Sequence, residues 1–231
     1  MLENSNAWSS TNLNILVVPS VHGPIANAEG GVLPEGAEGA APGGAYLDAT
    51  LELLDDWRYA LDKTAELAAG SDAPRWAADI GWVSEITWSL DIVSENIVGP
   101  EDVQNADIVK FYTETTFPIL GAAVYADPCL AYSTEWNTYG SLTYRDTYNL
   151  AGHELLHCFG MSHPEEMQPE ADIMSYEDTP WVDYRCPSNL DPRAVAAAFA
   201  GAVDGPGVSP GQTVAVDADA YEQNCLNSDE D

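Results

Sequence analysis

The sequence predicts an α/β (α+β) fold with a mixed, twisted sheet, in a domain that is divided by one helix that carries the candidate functional site. Three observations indicate this fold class. Leu13–Val18 is an almost wholly apolar run, apolar residues recur at helical spacing over Ala45–Ala69, and Ile86–Ile92 alternates between apolar and polar residues as a strand does. Strands that alternate with helices along a chain are typical of an α/β domain.

The other elements of the N-terminal part are expected in chain order. Residues 28–44 are rich in Gly, Ala, Glu and Pro and predict a loop, and Gly70 is expected to end the first helix. Two further strands are expected at Ala106–Tyr112 and Leu120–Ala126, and a weaker one at Tyr139–Tyr144.

The C-terminal part begins with the helix that carries the candidate site. Asp146 or Thr147 is expected to be its N-cap. A loop-rich segment follows over residues 161–188. Asn189–Pro192 then opens a last helix, with a capping side chain and a proline near its first turn, and this helix is expected to end near Ala200.

These elements are expected to form one domain over residues 1–231, which is long enough for a well-buried core. We expect an N-terminal subdomain with the sheet and the site helix at 12–160. A smaller C-terminal subdomain follows at 161–205, and an acidic tail, which is expected to be irregular, at 206–231.

The charge balance is extreme. The chain has 38 acidic and 7 basic residues, a formal net charge of -31, and the acidic residues are spread from Glu3 to Asp231. Molar salt screens such self-repulsion, so this composition predicts a halophilic surface. An ordinary acidic secreted protein is the alternative, which the presence of only two lysines, Lys63 and Lys110, disfavours. Binding to nucleic acid or to an anionic membrane is disfavoured by this charge.

Apolar runs are short throughout the chain. None approaches the ~20 residues of a membrane span. The segment Met1–Pro19 has no basic n-region, and its apolar run is too short for a signal h-region, so no export signal is visible in this chain.

Four cysteines, an even number, permit two disulfides in three connectivities. None of them shows the spacing of a metal site. Cys158 is expected to face either the core or a disulfide partner, and a free buried thiol is the alternative. The sequence otherwise leaves the pairing open among Cys129, Cys158, Cys186 and Cys225.

One motif carries most of the functional information, and it reads His153-Glu154-Leu-Leu-His157-Cys-Phe-Gly160-Met-Ser-His163. Histidines four apart on a helix lie on the same face, so both imidazoles can reach one metal ion. Gly160 can adopt a positive φ, which ends the helix and lets His163 approach from outside it. Three imidazoles with one open position are typical of a hydrolytic zinc site. Glu154 is placed to accept a proton from the attacking water.

Each of these residues also has a plainer interpretation. The short pattern His-Glu-x-x-His occurs by chance on ordinary helices, and Glu154 could be one more surface carboxylate of an acidic chain. The third histidine at its required offset favours the metal site, because three of the four histidines then fall in one motif. The fourth, His22, is expected to be a solvated loop residue.

With Asp172-Ile173-Met174-Ser175-Tyr176 downstream, the motif resembles the metzincin clan of zinc endopeptidases. The Met-Ser-Tyr triplet is similar to the methionine turn of serralysins and astacins. The resemblance implies that Met174 forms a hydrophobic floor under the metal and that Tyr176 can approach it. Packing alone is the alternative for both residues. The resemblance further implies that Gly121–Ala126 is the strand along which substrate binds.

The resemblance implies a zinc-dependent endopeptidase with His153, His157 and His163 as metal ligands and Glu154 as general base. Tyr176 would donate a hydrogen bond to the oxyanion. Its partners would be peptide or protein substrates, with no nucleic acid and no membrane, and the chain is expected to be a monomer that acts outside the cell or at its surface. Two alternatives remain: a catalytically silent zinc-binding recognition module, or a zinc hydrolase of a non-protein amide. Zinc suits three histidines best, although other divalent ions also bind imidazole.

Overall fold

A computed structural model describes most of the chain. The described residues are 8–18, 44–92, 100–113, 121–134, 136–137, 140–141, 143–163, 172–174, 186–188, 190–203, 209 and 226. Within these ranges, no helix has the length and apolar character needed to cross a membrane. The expected α/β class is confirmed in its general form: a five-stranded, mostly parallel sheet is combined with several helices.

The central sheet has the strand order β2-β1-β3-β5-β4. Strand β1 pairs parallel with β3, and β3 pairs parallel with β5, whereas β4 runs antiparallel to β5. Strand β4 therefore lies at one edge of the sheet and β2 at the other. The strands are β1 (Asn12–Val18), β2 (Thr87–Ile92), β3 (Ile108–Thr113), β4 (Gly121–Val124) and β5 (Cys129–Thr134).

Five α-helices occur among the described residues, with one 3-10 turn at Gly81–Glu85. Apolar residues at helical spacing form the longest of them, as the sequence predicts. A two-stranded hairpin, β6 (Trp136–Asn137) with β7 (Gly140–Ser141), lies outside the central sheet. The helices are α1 (Gly44–Ala69), α2 (Arg75–Ala78), α3 (Pro100–Gln104), α4 (Tyr144–Cys158) and α5 (Leu190–Phe199).

Successive side chains of a strand point to opposite faces, so the sheet has two different sides. One side is an apolar cluster that includes Val109, Phe111, Leu130 and Tyr132 and that also packs against Val103 of α3. The other side faces α4, which packs against β4 and β5. A disulfide between Cys129, at the start of β5, and Cys158, at the end of α4, ties the site helix to the sheet. The sequence predicted that Cys158 faces the core or a disulfide partner; it is fully buried and bonded.

The start of α4 differs from the prediction. Neither Asp146 nor Thr147 is the N-cap, because the helix begins at Tyr144. Thr143 caps it instead: its hydroxyl accepts a hydrogen bond from the Asp146 amide at 3.2 Å, and the Asp146 carboxylate accepts one from the Thr143 amide at 3.0 Å. This reciprocal pair is a capping box with Asp in place of the usual Glu.

One strand was predicted wrongly, and another was missed. The weak strand predicted at Tyr139–Tyr144 is wrong at its end, since Tyr144 is helical and only Gly140–Ser141 is a described strand there. Strand β5 was not predicted at all. Residues 129–133 of this strand are buried on both faces, so the strand lacks the apolar-polar alternation that marks a half-exposed strand.

The chain divides into two compact units. One comprises Leu13–Glu52 and Trp88–Cys158, and therefore most of the sheet together with α4. The other comprises Met1–Asn12, Leu53–Thr87 and Phe159–Asp231. In this second unit, aromatic rings pack together: Trp57 meets Phe159 edge to face at a centroid distance of 6.0 Å, and Trp8 stacks on Phe199 at 5.9 Å. Nearly every residue of α5 from Ala194 onward is buried.

Candidate metal centre

The three histidines of the motif lie together. One donor nitrogen from each of His153, His157 and His163 lies within 4.8 Å of the others, and among the described residues this is the one such group of metal-ligating side chains. The Nε2 atoms of His153 and His157 are 3.2 Å apart. Two imidazoles bound tetrahedrally to zinc at ~2.0–2.1 Å hold their nitrogens about 3.3 Å apart, so the spacing of this pair suits two ligands of one metal ion.

Local backbone geometry explains why the three side chains meet. His153 and His157 are one turn apart on α4, and their rings are perpendicular with centroids 4.8 Å apart. The helix ends at Cys158, and Gly160 follows with a φ of 102°, the positive value that the sequence predicted. A residue with a side chain is strained in that conformation, so glycine at this position lets the chain turn towards His163.

Glu154 lies between the first two histidines and is buried, with 6% of its surface exposed. Burial raises the pKa of its carboxyl group to about 8, and the nearby charge of Lys110 acts in the opposite direction. Glu154 is therefore a buried carboxyl group that lies between two of the histidines in sequence, and not a solvated surface carboxylate.

Lys110 lies in the central strand β3, on the side of the sheet that faces α4 and Glu154. It is fully buried, its ammonium group donates a hydrogen bond to the Ser133 hydroxyl, and it lies 4.7 Å from the centre of the Tyr112 ring. Burial lowers the pKa of Lys110 to about 7, and the charge of Glu154 opposes that change. The site therefore contains an acid and a base that are both displaced towards their neutral forms.

The Glu154 side chain is pressed against the edge strand. A Cβ atom added at Gly121 would lie 2.7 Å from both Cγ and Oε1 of Glu154 and 2.8 Å from the Tyr132 carbonyl oxygen. These distances are shorter than any ordinary contact, so no other residue fits at Gly121 without moving the carboxylate. The first residue of β4 thus helps to set where that carboxylate lies.

Tyr125, directly after β4, contacts one of the histidines. Its ring meets the His157 imidazole edge to face, with centroids 6.3 Å apart and planes at 87°. This contact places the end of the edge strand beside the candidate metal ligands.

Met174 lies in a fully buried turn with Asp172 and Ile173. Its amide donates a hydrogen bond to Oδ1 of Asp172 at 2.8 Å, and the Ser188 hydroxyl donates to Oδ2 of the same carboxylate. The Ile173 amide donates to the Cys186 carbonyl at 3.2 Å. Met174 is thus a packed apolar residue in a turn held by hydrogen bonds, and its suggested place under the metal stays a prediction.

A second buried carboxylate adjoins this turn. Asp191 of α5 accepts a hydrogen bond from the Ser188 amide at 2.8 Å through Oδ2, whereas its Oδ1 has no partner among the described residues. Asp191 is fully buried, and burial together with the charge of Asp172 raises the pKa of its carboxyl group well above the ordinary value, against the effect of the Ser188 amide.

Two residues singled out in the sequence, Tyr176 and His22, lie outside the described residues, so the suggested roles of both stay predictions. The sequence did not single out Lys110 or Asp191, and it included Tyr125 only within the strand along which substrate was expected to bind. One signal was present for Lys110: it is one of two lysines, and it falls in the apolar strand Ile108-Val109-Lys110-Phe111-Tyr112, where alternation directs it to a buried face. No comparable signal marks Asp191 among 38 acidic residues.

Comparison with known proteins finds no protein-family model that matches this chain and no similar protein among those with curated functions.

Proposed function

We propose that this chain is a zinc-dependent endopeptidase of the metzincin type. One observation carries the proposal: three imidazoles converge within 4.8 Å, and the glutamate between the first two is buried next to them. A structural zinc site has four protein ligands, whereas three histidines leave a position open for chemistry. The sequence resemblance to metzincins supports the finer assignment.

His153, His157 and His163 would hold the metal ion. Zinc bound there would supply a water activated at neutral pH and would polarise the substrate carbonyl. Glu154 accepts the proton of the attacking water and later delivers it to the leaving amine. The close approach of Gly121 limits the movement of the Glu154 side chain and favours this role.

The position of β4 supports a peptide as substrate. It is an edge strand, and its first residue touches Glu154 while Tyr125, just past its end, touches His157. An extended peptide can add to such an edge through main-chain hydrogen bonds. A peptide bound along β4 would pass both the base and the metal ligands.

The proposal is tested by an assay of fluorogenic peptides and casein in molar KCl. We expect hydrolysis that a chelator abolishes and added zinc restores. Zinc bound at one ion per chain without hydrolysis of any peptide would instead indicate a silent binding module. Hydrolysis of small amides but not of peptides would indicate an amidase.

The role of Glu154 is tested by Glu154→Gln, which keeps the shape of the side chain but cannot accept a proton. We expect kcat to fall by about a thousandfold or more, within the range that proton transfer and its positioning contribute. Zinc content, measured by elemental analysis, should remain at the wild-type level. Glu66→Gln, at an exposed position of α1, is the matched control and should keep full activity. Turnover by zinc-loaded Glu154→Gln at the wild-type rate would refute the assignment.

A further inference from the structure

Large apolar side chains are exposed at four of the described positions, and two of these are consecutive. Val124 ends β4 with 44% of its surface exposed, and Tyr125 follows with 42%. The other two, Leu90 and Ile92, lie on β2 at the opposite edge of the sheet. Exposed apolar pairs at the mouth of a site are typical of ligand-contacting surfaces, because burying them on binding is favourable by about 25 cal/mol per Å².

The two side chains of this pair point to different sides of the sheet. Val124 pairs with Leu130, which belongs to the apolar cluster on the side away from α4. Tyr125 therefore points to the side of α4, which its contact with His157 confirms. Tyr125 is thus the exposed apolar residue that lies directly beside the candidate metal ligands.

We propose that Tyr125 selects substrates that have a large apolar side chain next to the scissile bond, an inference that rests on the proposed peptidase function. A peptide along the β4 edge presents alternate side chains to the two sides of the sheet. The substrate side chain that points to the metal side packs on the exposed Tyr125 ring. The next substrate side chain points to the other side of the sheet and lies beside Val124. The substrate class is therefore an extended peptide with an apolar residue at the cleavage site.

The charge of the chain favours recognition by apolar contact over recognition by ion pairs. The net charge of -31 predicts a protein that works in molar salt, where the Debye length is about 3 Å. Ionic contacts to substrate are then largely screened, whereas apolar contacts are not weakened by screening. An aromatic ring is a recognition element that keeps its effect under these conditions.

The test uses two fluorogenic peptides that differ only in the residue next to the cleaved bond, Leu in one and Ser in the other, with the cleavage point mapped by mass spectrometry. The ratio of kcat/KM for the two is measured in molar KCl. For the wild type we expect Leu to be favoured by about tenfold or more, the size of a well-buried apolar contact. Tyr125→Ser should lower this ratio several-fold while zinc content stays the same.

Two further variants test whether the Tyr125 ring itself causes the preference for Leu. Tyr125→Phe keeps the ring and loses the hydroxyl group, so the preference for Leu should persist. Leu90→Ser removes an equally exposed apolar residue from the far edge of the sheet and should leave the ratio at the wild-type value. A wild-type enzyme without preference, or an unchanged ratio in Tyr125→Ser, would overturn this inference alone. Absence of any zinc-dependent cleavage would overturn the proposed function and this inference with it.

Discussion

Lys110 occupies an environment in which a lysine is rarely found. It has no exposed surface, and its pKa is lowered from 10.5 to about 7, chiefly by burial. A base with a lowered pKa in the folded state binds fewer protons than it does when unfolded. Folded stability therefore rises with pH between about 7 and 10.5 and is lost as the pH falls through 7. One pKa unit corresponds to about 1.4 kcal/mol, so burying the charged form costs on the order of 5 kcal/mol.

The substitution Lys110→Met tests this dependence of folded stability on pH. We expect it to raise the free energy of unfolding, by several kcal/mol at about pH 6 and by clearly less at about pH 9, because the wild-type amine is already neutral there. Denaturant titrations of both chains in the Glu154→Gln background remove the effect of the coupled carboxyl group. Lys63→Met, at the only other lysine and at a position that is not buried, is the matched control for the loss of one lysine. A stabilisation by Lys110→Met that is equal at both pH values would contradict the lowered pKa.

Gly121 gives a second prediction at the residue scale, and it concerns catalysis. A methyl group there would lie 2.7 Å from Glu154, so Gly121→Ala must displace either the carboxylate or the edge strand. Misplacing a catalytic group by about 1 Å lowers the rate by about a hundredfold. We therefore expect a fall in kcat of about that size, with zinc content unchanged. Gly70→Ala, where the nearest atom would be 3.4 Å away, is the control and should retain activity. Full activity in Gly121→Ala would show that the contact does not fix the base.

At the scale of elements, Ser188 links the buried turn at residues 172–174 to helix α5 through two hydrogen bonds. Asp172 accepts from its hydroxyl group, and Asp191 of α5 accepts from its amide. Two buried carboxylates held by one residue repel each other when both are charged. The raised pKa of Asp191 means that the folded state keeps a proton there that the unfolded state releases. Folded stability is therefore full below the ordinary aspartate range and falls as the pH rises through the raised pKa.

Asp191→Asn should remove this loss of folded stability at higher pH. The amide oxygen can still accept from Ser188, and the amide nitrogen takes the place of an oxygen that has no partner. We expect the variant to be more stable than the wild type by about 1–3 kcal/mol at pH ~8, and by less at pH ~5. Thermal unfolding at the two pH values in constant salt measures the difference. Asp72→Asn, at an exposed site, is the matched control for the loss of one carboxyl group. A variant that is less stable at the higher pH would show that Asp191 is needed as a charged group.

The elements show what the sequence could and could not predict. Helix α1 and strand β2 follow simple apolar periodicity, and strand β1 is a nearly continuous apolar run. The predicted limits of all three agree with the structure within about two residues. The histidine cluster was also predictable, because all of its members lie within eleven residues and local helix geometry brings them together. Strand β5 and the N-cap at Thr143 were missed. A strand buried on both faces has no alternation. Thr143, Asp146 and Thr147 are all residue types that cap helices, and backbone geometry decides which of them does so.

The parts of the site that were missed depend on contacts between distant segments. Lys110 and Ser133 are 23 residues apart, and Gly121 meets Glu154 across 33 positions of the chain. Pairing within the sheet decides these contacts, and strand order is not visible in local patterns. In contrast, Gly160 was predictable, because ending a helix between two ligands is a local requirement.

At the scale of the whole molecule, the net charge of -31 sets a final prediction. Compacting so many like charges is unfavourable at low ionic strength, and screening shortens their range from ~10 Å at 0.1 M to ~3 Å at 1 M salt. The free energy of unfolding should therefore rise steeply as KCl increases over this range, because the unfolded chain spaces its charges farther apart. Hydrolysis and zinc retention should be lost at low salt together with the fold.

This dependence can be separated from the general effect of salt on apolar burial. Replacing exposed carboxylates by amides at Asp62, Glu66, Asp72, Asp79 and Glu85, within one stretch of the chain, lowers the net charge without touching the buried core. Reduced self-repulsion should then lower the KCl concentration at which the fold is half-populated, whereas the response to sucrose, which strengthens burial without screening charge, should stay the same. If the variant and the wild type share one KCl dependence, repulsion between surface charges does not govern stability, and the acidic surface must act through another property, such as hydration.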